Sequence, residues 1–166
     1  RSTLFPYTTL FRSLELATVQ IVDYAPEGDI TVASAVSKQL ADYGYLGSTA
    51  NLPAFYLTAY LCAKRALANG VESAILDIGL KAPIKGSKVF AALKGAVDAG
   101  LEVPHGEFIF PDDERIRGEH IANYAESLDD EEVAKKFSKY LERGLQPVDL
   151  PENFDETKNK IDEAEE

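Results

Sequence analysis

Apolar residues keep two different rhythms along this chain, and the change from one to the other divides it. Residues 14–24 are rich in β-branched types, with Val19, Ile21 and Tyr24 in a strand-like setting. Residues 30–35 continue as a second strand after the turn chemistry of Pro26, Glu27, Gly28 and Asp29, so the pair predicts a hairpin. Residues 37–43 read as a short helix closed by Gly44. Pro53 suits the first turn of a longer helix, where Phe55, Leu57, Tyr60, Leu61 and Leu67 alternate with Lys64 and Arg65 until Gly70. Residues 71–78 predict a strand whose Ile75, Leu76 and Ile78 are too apolar for a surface edge. A helix capped at Ser87 and stopped by Gly100 follows, then a short strand ending at Val103. This βαβ alternation implies a mixed sheet with a parallel portion covered by helices.

Beyond His105 the period becomes helical. Asp112, Asp113 and Glu114 place negative charge at a helix N-terminus, where the dipole favours it, and Ile116, Ile121, Tyr124 and Leu128 follow near helical spacing. Another helix begins at residues 129–132, carries Val133, Phe137, Tyr140 and Leu141 on one side, and ends at Gly144. A linker at residues 146–150 leads to a last acidic helix from Pro151, expected to fray after Ile161. The expected fold class is α/β, a mixed sheet with packed helices plus a helical C-terminal extension. Residues 14–106 form the core and residues 107–166 the acidic extension. Residues 1–13 read like translated sequencing-adapter sequence, so they are expected to be non-native and are set aside from the fold.

Composition narrows the classes. At 166 residues and 45% hydrophobic content, the chain is long enough for one domain with a real core. A single cysteine, Cys62, excludes an internal disulfide framework and reads as a buried, reduced thiol of a cytosolic protein. Two histidines and one cysteine are too few for a zinc site of finger or ribbon spacing, so no cofactor or metal is expected. No apolar run reaches the length of a bilayer span, and no secretory signal pattern opens the chain. The formal net charge of -11 falls entirely on residues 107–166, while residues 1–106 sum to zero.

Against that acidity stands one cationic island. Between Asp77 and Asp98 lie Lys81, Lys85, Lys88 and Lys94 and no carboxylate. Three readings compete. The 79–88 loop could cradle a phosphate through backbone N–H groups and a helix N-terminus, although its Gly86-Ser87-Lys88 order is wrong for a P-loop. It could be an ordinary solvated loop with an N-cap. It could also position the protein on the backbone of RNA. Catalysis finds little support: Asp23 and Asp77 could hold metal in a nuclease, but two-metal chemistry needs several converging carboxylates, and Asp77 suits a role fixing the loop through backbone N–H groups. Ser87 has no nearby base, and His105 and His120 give no sign of meeting. No catalytic residue is assigned.

Residue identity adds what these types alone leave open. Asp77, Gly79 and Leu80, then Gly86, Lys88, Val89 and Phe90, then Lys94, Gly95, Ala96, Asp98, Gly100, Leu101, Pro104 and His105 closely resemble the 5S-rRNA-binding large-subunit ribosomal protein family, eighteenth in the universal numbering, in its archaeal and eukaryotic form. Gly118, His120, Ile121 and Tyr124, and the KKFSKY run at residues 135–140, look like the same family's later helices. The resemblance implies a cytoplasmic, non-enzymatic constituent of the large ribosomal subunit with an RNase H-like core. Such a protein binds 5S rRNA and helps attach it to the large rRNA in the central protuberance, beside other large-subunit proteins including the second 5S-binding one. The compact length points to the archaeal branch. The family's basic N-terminal arm is missing here, replaced by the adapter-like residues. RNA contacts are expected at Lys81, Lys85, Gly86, Ser87 and Lys88, with Thr49 and Asn51 near riboses and Tyr45 (or Tyr43) available to stack on a base. An RNase H-like metal-dependent nuclease and a small phosphate-binding enzyme using the 79–88 loop remain as alternatives.

Overall fold

The computed structural model describes residues 7–12, 16–106 and 108–165. The predicted hairpin is present: β2 (Ala17–Asp23) pairs antiparallel with β3 (Ile30–Val36), with a bulge at Ile21/Val22. Residues 14 and 15 of the first predicted strand lie outside the described residues. Of the segment set aside above, Tyr7–Arg12 forms a strand, β1, while residues 1–6 and 13 lie outside the described residues. The fourth strand, β4, covers only Ile75–Asp77 and runs parallel to β1, giving the order β3-β2-β1-β4. The parallel portion of the sheet therefore depends on a segment that the sequence reading had excluded.

The position of β4 corrects a second expectation. It is the last strand of the sheet, and Ile75 is 51% exposed. Strand alternation explains this, because Leu76 turns toward the core while its two neighbours turn away. Next to it the chain starts one more parallel rung, Ser73 opposite Glu102, in which Glu102 N–H bonds the Glu72 carbonyl and Ala74 N–H bonds the Glu102 carbonyl. Pro104 has no N–H to continue that ladder, so the strand expected up to Val103 remains a single bridge.

One face of the sheet is covered by α1 (Leu52–Ala68), which packs on β2 and β3 and alongside α2 (Lys88–Asp98). Asn51 caps α1 by accepting the Ala54 N–H, and Pro53 sits in the first turn, where its missing donor costs nothing. Thirteen of the seventeen α1 residues are buried, so this helix is the axis of the core rather than an amphipathic cover. Residues 37–43 form a 3-10 turn closed by Gly44.

In the C-terminal extension both expected helices are broken in two. Gly118 separates α3 (Asp113–Arg117) from α4 (Glu119–Glu126), and Phe137 separates α5 (Asp130–Lys136) from α6 (Ser138–Glu142). The last helix, α7 (Leu150–Ala164), stays helical past Ile161 because its end is fastened. Tyr60 donates to Asp162 at 2.6 Å, Lys64 pairs with Asp162 at 2.8 Å, and Tyr43 and Arg65 both donate to Glu165. Burial alone would raise the Asp162 pKa, but the Lys64 ammonium and the Tyr60 hydroxyl outweigh it and hold the carboxyl below its usual value. A carboxylate with a depressed native pKa contributes its full stabilisation above its unfolded value and loses it as pH falls through the native one. Protection from hydrogen exchange at the last turns of α7 should therefore fall once the pH drops below the ordinary aspartate range, and protection that stays unchanged through the acid titration of Asp162 would contradict the fastening.

Cys62 lies on α1 with no exposed surface, and burial pushes its thiol up to about 12. Thiolate is the reactive form, so a disulfide-exchange reagent should leave the native protein untouched at pH 8 and titrate one thiol only after unfolding in urea. Rapid labelling of native protein would show the core to be open at α1.

Candidate nucleic-acid interface

The 79–88 loop is set by its first and last turns. Asp77 accepts the Gly79 N–H at 2.8 Å, the loop-fixing role the sequence suggested, and Gly79 and Gly86 hold φ of 59° and 71°, where a Cβ would be strained. Gly86 N–H reaches across to the Ile109 carbonyl at 3.0 Å, tying the loop to the start of the extension. Ser87 occupies the N-cap position of α2, but its hydroxyl makes no capping bond, which corrects the expected cap. Lys85 is exposed, Lys81 is half-buried, and Lys88 turns inward.

That turn joins two stretches the sequence had placed separately. The Lys88 ammonium donates to the Ala50 carbonyl and lies 5.6 Å from the centre of the Phe55 ring. Lys88 thus links the lysine loop to the 47–51 loop, which holds Thr49 and Asn51. Asn51 itself is occupied: Oδ1 accepts both the Ala54 N–H and the Tyr45 hydroxyl at 2.9 Å, and Nδ2 donates to the Tyr140 hydroxyl at 3.3 Å. Tyr45 is 3% exposed, with its pKa raised well above the ordinary tyrosine value by burial. The stacking role expected of Tyr45 is corrected accordingly, since its ring has no face open to a base. Tyr43 is spent on Glu165 and Arg65.

Between the two loops and the extension lies a depression of about 520 Å³, lined by Asn51, Lys88, His120, Tyr124, Lys136 and Tyr140 among others and, among the described residues, by no carboxylate. Tyr124 is 47% exposed there, with the Lys136 ammonium 5.2 Å from its ring centre and donating to its hydroxyl at 2.7 Å. Burial, and then the charge of Arg115, lowers the His120 pKa, so its imidazole adds little positive charge to the depression at pH 7. His105 lies elsewhere, with Nδ1 2.6 Å from the Val103 carbonyl and its ring against Phe110. The two histidines line different depressions.

The carboxylates proposed for metal do not converge either. Asp23 follows Val22, the partner of Tyr7, whereas Asp77 is level with Thr9, so the two are about 10 Å apart along the strands and two strands apart across them, roughly 14 Å in all. Among the described residues no three His, Cys, Asp or Glu side chains gather as a metal site. No helix among them is long and apolar enough to cross a membrane.

A family model described as ribosomal large subunit proteins 60S L5 and 50S L18 matches residues 12–72 and 68–106. The chain belongs to this family. Large ribosomal subunit protein uL18 of Methanobrevibacter smithii is 78% identical over 150 residues, spanning 90% of this chain and 78% of that protein. The uL18 of Methanothermobacter thermautotrophicus is 67% identical over 144 residues, spanning 87% and 75%, and that of Thermofilum pendens 54% over 151 residues, spanning 89% and 77%. Membership in the L5/L18 family, with archaeal uL18 relatives, displaces both enzyme alternatives. Tyr124 and Lys136, absent from the expected RNA contacts, were visible in the sequence as a helical apolar position within the resemblance and as part of KKFSKY.

Proposed function

We propose that the protein is a non-catalytic component of the large ribosomal subunit in the cytoplasm, where it binds 5S rRNA and helps attach it to the large rRNA, next to the other 5S-binding protein. The observation that carries RNA as the partner is the depression at the Lys88 junction, which among the described residues has no carboxylate in its wall, in a chain of net charge -11. An anionic backbone compensates such a surface, and an acidic protein keeps one only where something negative covers it. Lys85 on its exposed loop and Lys88 at the junction supply charge, Lys81, Gly86, Ser87 and Thr49 frame the approach, and Tyr124 replaces Tyr45 as the ring on which an unpaired base can stack. Asn51 acts by shaping the 47–51 loop. The strand order β3-β2-β1-β4, antiparallel through three strands and parallel in the fourth, with α1 leading into β4, supports reading the core as RNase H-like.

Filter binding of 5S rRNA across a salt series tests this reading. Replacing Lys85 by Glu should weaken binding roughly tenfold at 0.1 M salt and lower the log-log salt slope by about 0.7–0.9, the signature of one lost phosphate contact. Affinity for 5S rRNA no greater than for an unrelated RNA of equal length would refute the assignment.

A further inference from the structure

A second depression, of about 470 Å³, adjoins the first at Ser48 and Ala50 of the 47–51 loop and carries a denser set of cations. Lys38 reaches it from the 3-10 turn after β3, Lys136 from α5, Lys139 from α6 and Arg143 from the C-cap of α6, and among the described residues no carboxylate lines it. Ser48, Thr49 and Ser138 add hydroxyls at its wall. From this cluster we infer a second binding site for a nucleic-acid phosphate backbone, built largely by the C-terminal extension.

Three features point to an anion rather than to a solvated face. Lys139 on α6 and Arg143 at its C-cap stand four residues apart, a spacing at which like charges repel and which gains when an anion lies between them. Among the described residues neither of them, nor Lys38, has an ion-pair partner, although residues 107–166 carry 19 of the chain's 28 carboxylates. Arg143 is also pre-positioned: one N–H donates to the Gly47 carbonyl, which fixes the arm, and a guanidinium carries five N–H donors in a rigid fork suited to phosphate. The two depressions share Ser48, Ala50, Lys136 and Tyr140. One RNA backbone can therefore follow both, passing over the 47–51 loop, with that loop in a groove of the RNA.

The inference rests on RNA binding as proposed above, and the double substitution Lys38→Gln with Lys139→Gln tests it separately. Both side chains are exposed, so the thermal midpoint should not move. In the same filter assay the double variant should bind 5S rRNA at least tenfold more weakly at 0.1 M salt, with the salt slope lowered by about 1.4–1.8 for two phosphates. A dissociation constant within twofold of the parent and an unchanged slope would overturn the second site and leave the 5S reading intact. If the parent shows no preference for 5S rRNA, the proposed function fails, and the site is judged by the same variant on an unrelated duplex RNA, where an equal loss supports it and no loss overturns it. A large-subunit rRNA fragment run in parallel distinguishes which ribosomal RNA supplies the backbone. Displacement of RNA by polyglutamate at equal charge would reassign the surface to an acidic protein and overturn the inference.

Discussion

Replacing Gly95 by alanine should destabilise the protein by about 3 kcal/mol or more, because a Cβ there would lie 2.2 Å from the backbone oxygen of Tyr56. The obstacle is main chain of the central helix, not the tip of a flexible side chain, so relief requires α2 to move away from α1 as a unit. Ala91, Ala92 and Ala96 on the same buried side of α2 leave no long side chains to fill the gap that such a shift opens. The Tyr56 hydroxyl bond to Asp98, 2.8 Å long and close to the same crossing, would be stretched as well. With a urea m-value of about 1.5 kcal/mol/M, the unfolding midpoint should fall by about 2 M. Gly144 is the control. Its φ of 82° is left-handed but a Cβ there meets nothing within 4 Å, so Gly144→Ala should cost only the backbone term of about 1–2 kcal/mol. Equal losses at the two positions would mean that the helices adjust to the extra methyl freely.

The hairpin, the long central helix and the α2 segment could be read in the sequence because each is bracketed by residues with local meaning: a Pro-Glu-Gly-Asp turn, a proline in the first helical turn, a closing glycine. The breaks at Gly118 and Phe137 could not, because apolar spacing runs through both of them without interruption and only tertiary packing decides where the axis turns. The length and edge position of β4 were misread for a related reason. An apolar run does not reveal which of its members faces inward, and in a three-residue strand a single inward residue is enough. Tyr7–Arg12 was set aside because it reads like translated adapter sequence, yet strand pairing is carried by backbone groups, so such a segment can still pair with β2 and β4.

At the candidate site, total charge was legible and direction was not. The absence of carboxylates between Asp77 and Asp98 marks the lysine loop as an exception in this chain, but nothing local told that Lys88 would fold back onto Ala50 while Lys85 stayed outside. Lys38, Lys139 and Arg143 lie far apart along the chain, and only the docking of the extension against the core brings them to one depression. That docking passes through Asn153, which donates to the Gly44 carbonyl at 2.9 Å and accepts the Leu46 N–H at 3.0 Å, so α7 holds the strand of chain that leads into the 47–51 loop. The acidic last helix thus supports the loop at the centre of the proposed RNA surface.

Replacing Asn51 by alanine should have the second large effect, about 2–4 kcal/mol, since it removes the α1 cap and leaves the Tyr45 hydroxyl buried without its acceptor. The same substitution separates a shaping role from a contact role. Asn51 was expected near a ribose, yet all its described bonds go to protein. At a temperature where the variant is still folded, its 5S rRNA salt slope should equal the parent's, because no phosphate contact has been deleted. Asn51→Asp completes the argument. The carboxylate can still accept the Ala54 N–H and the Tyr45 hydroxyl, and the Tyr140 hydroxyl can turn to donate to it, so stability should stay within about 1 kcal/mol of the parent. The new charge sits beside Lys88 and Lys136, however, and would cancel part of the field that attracts RNA, so affinity should fall severalfold at low salt and recover toward the parent's as salt screens both. An alanine variant that is fully stable but cannot hold RNA would reverse the assignment and return Asn51 to the list of direct contacts.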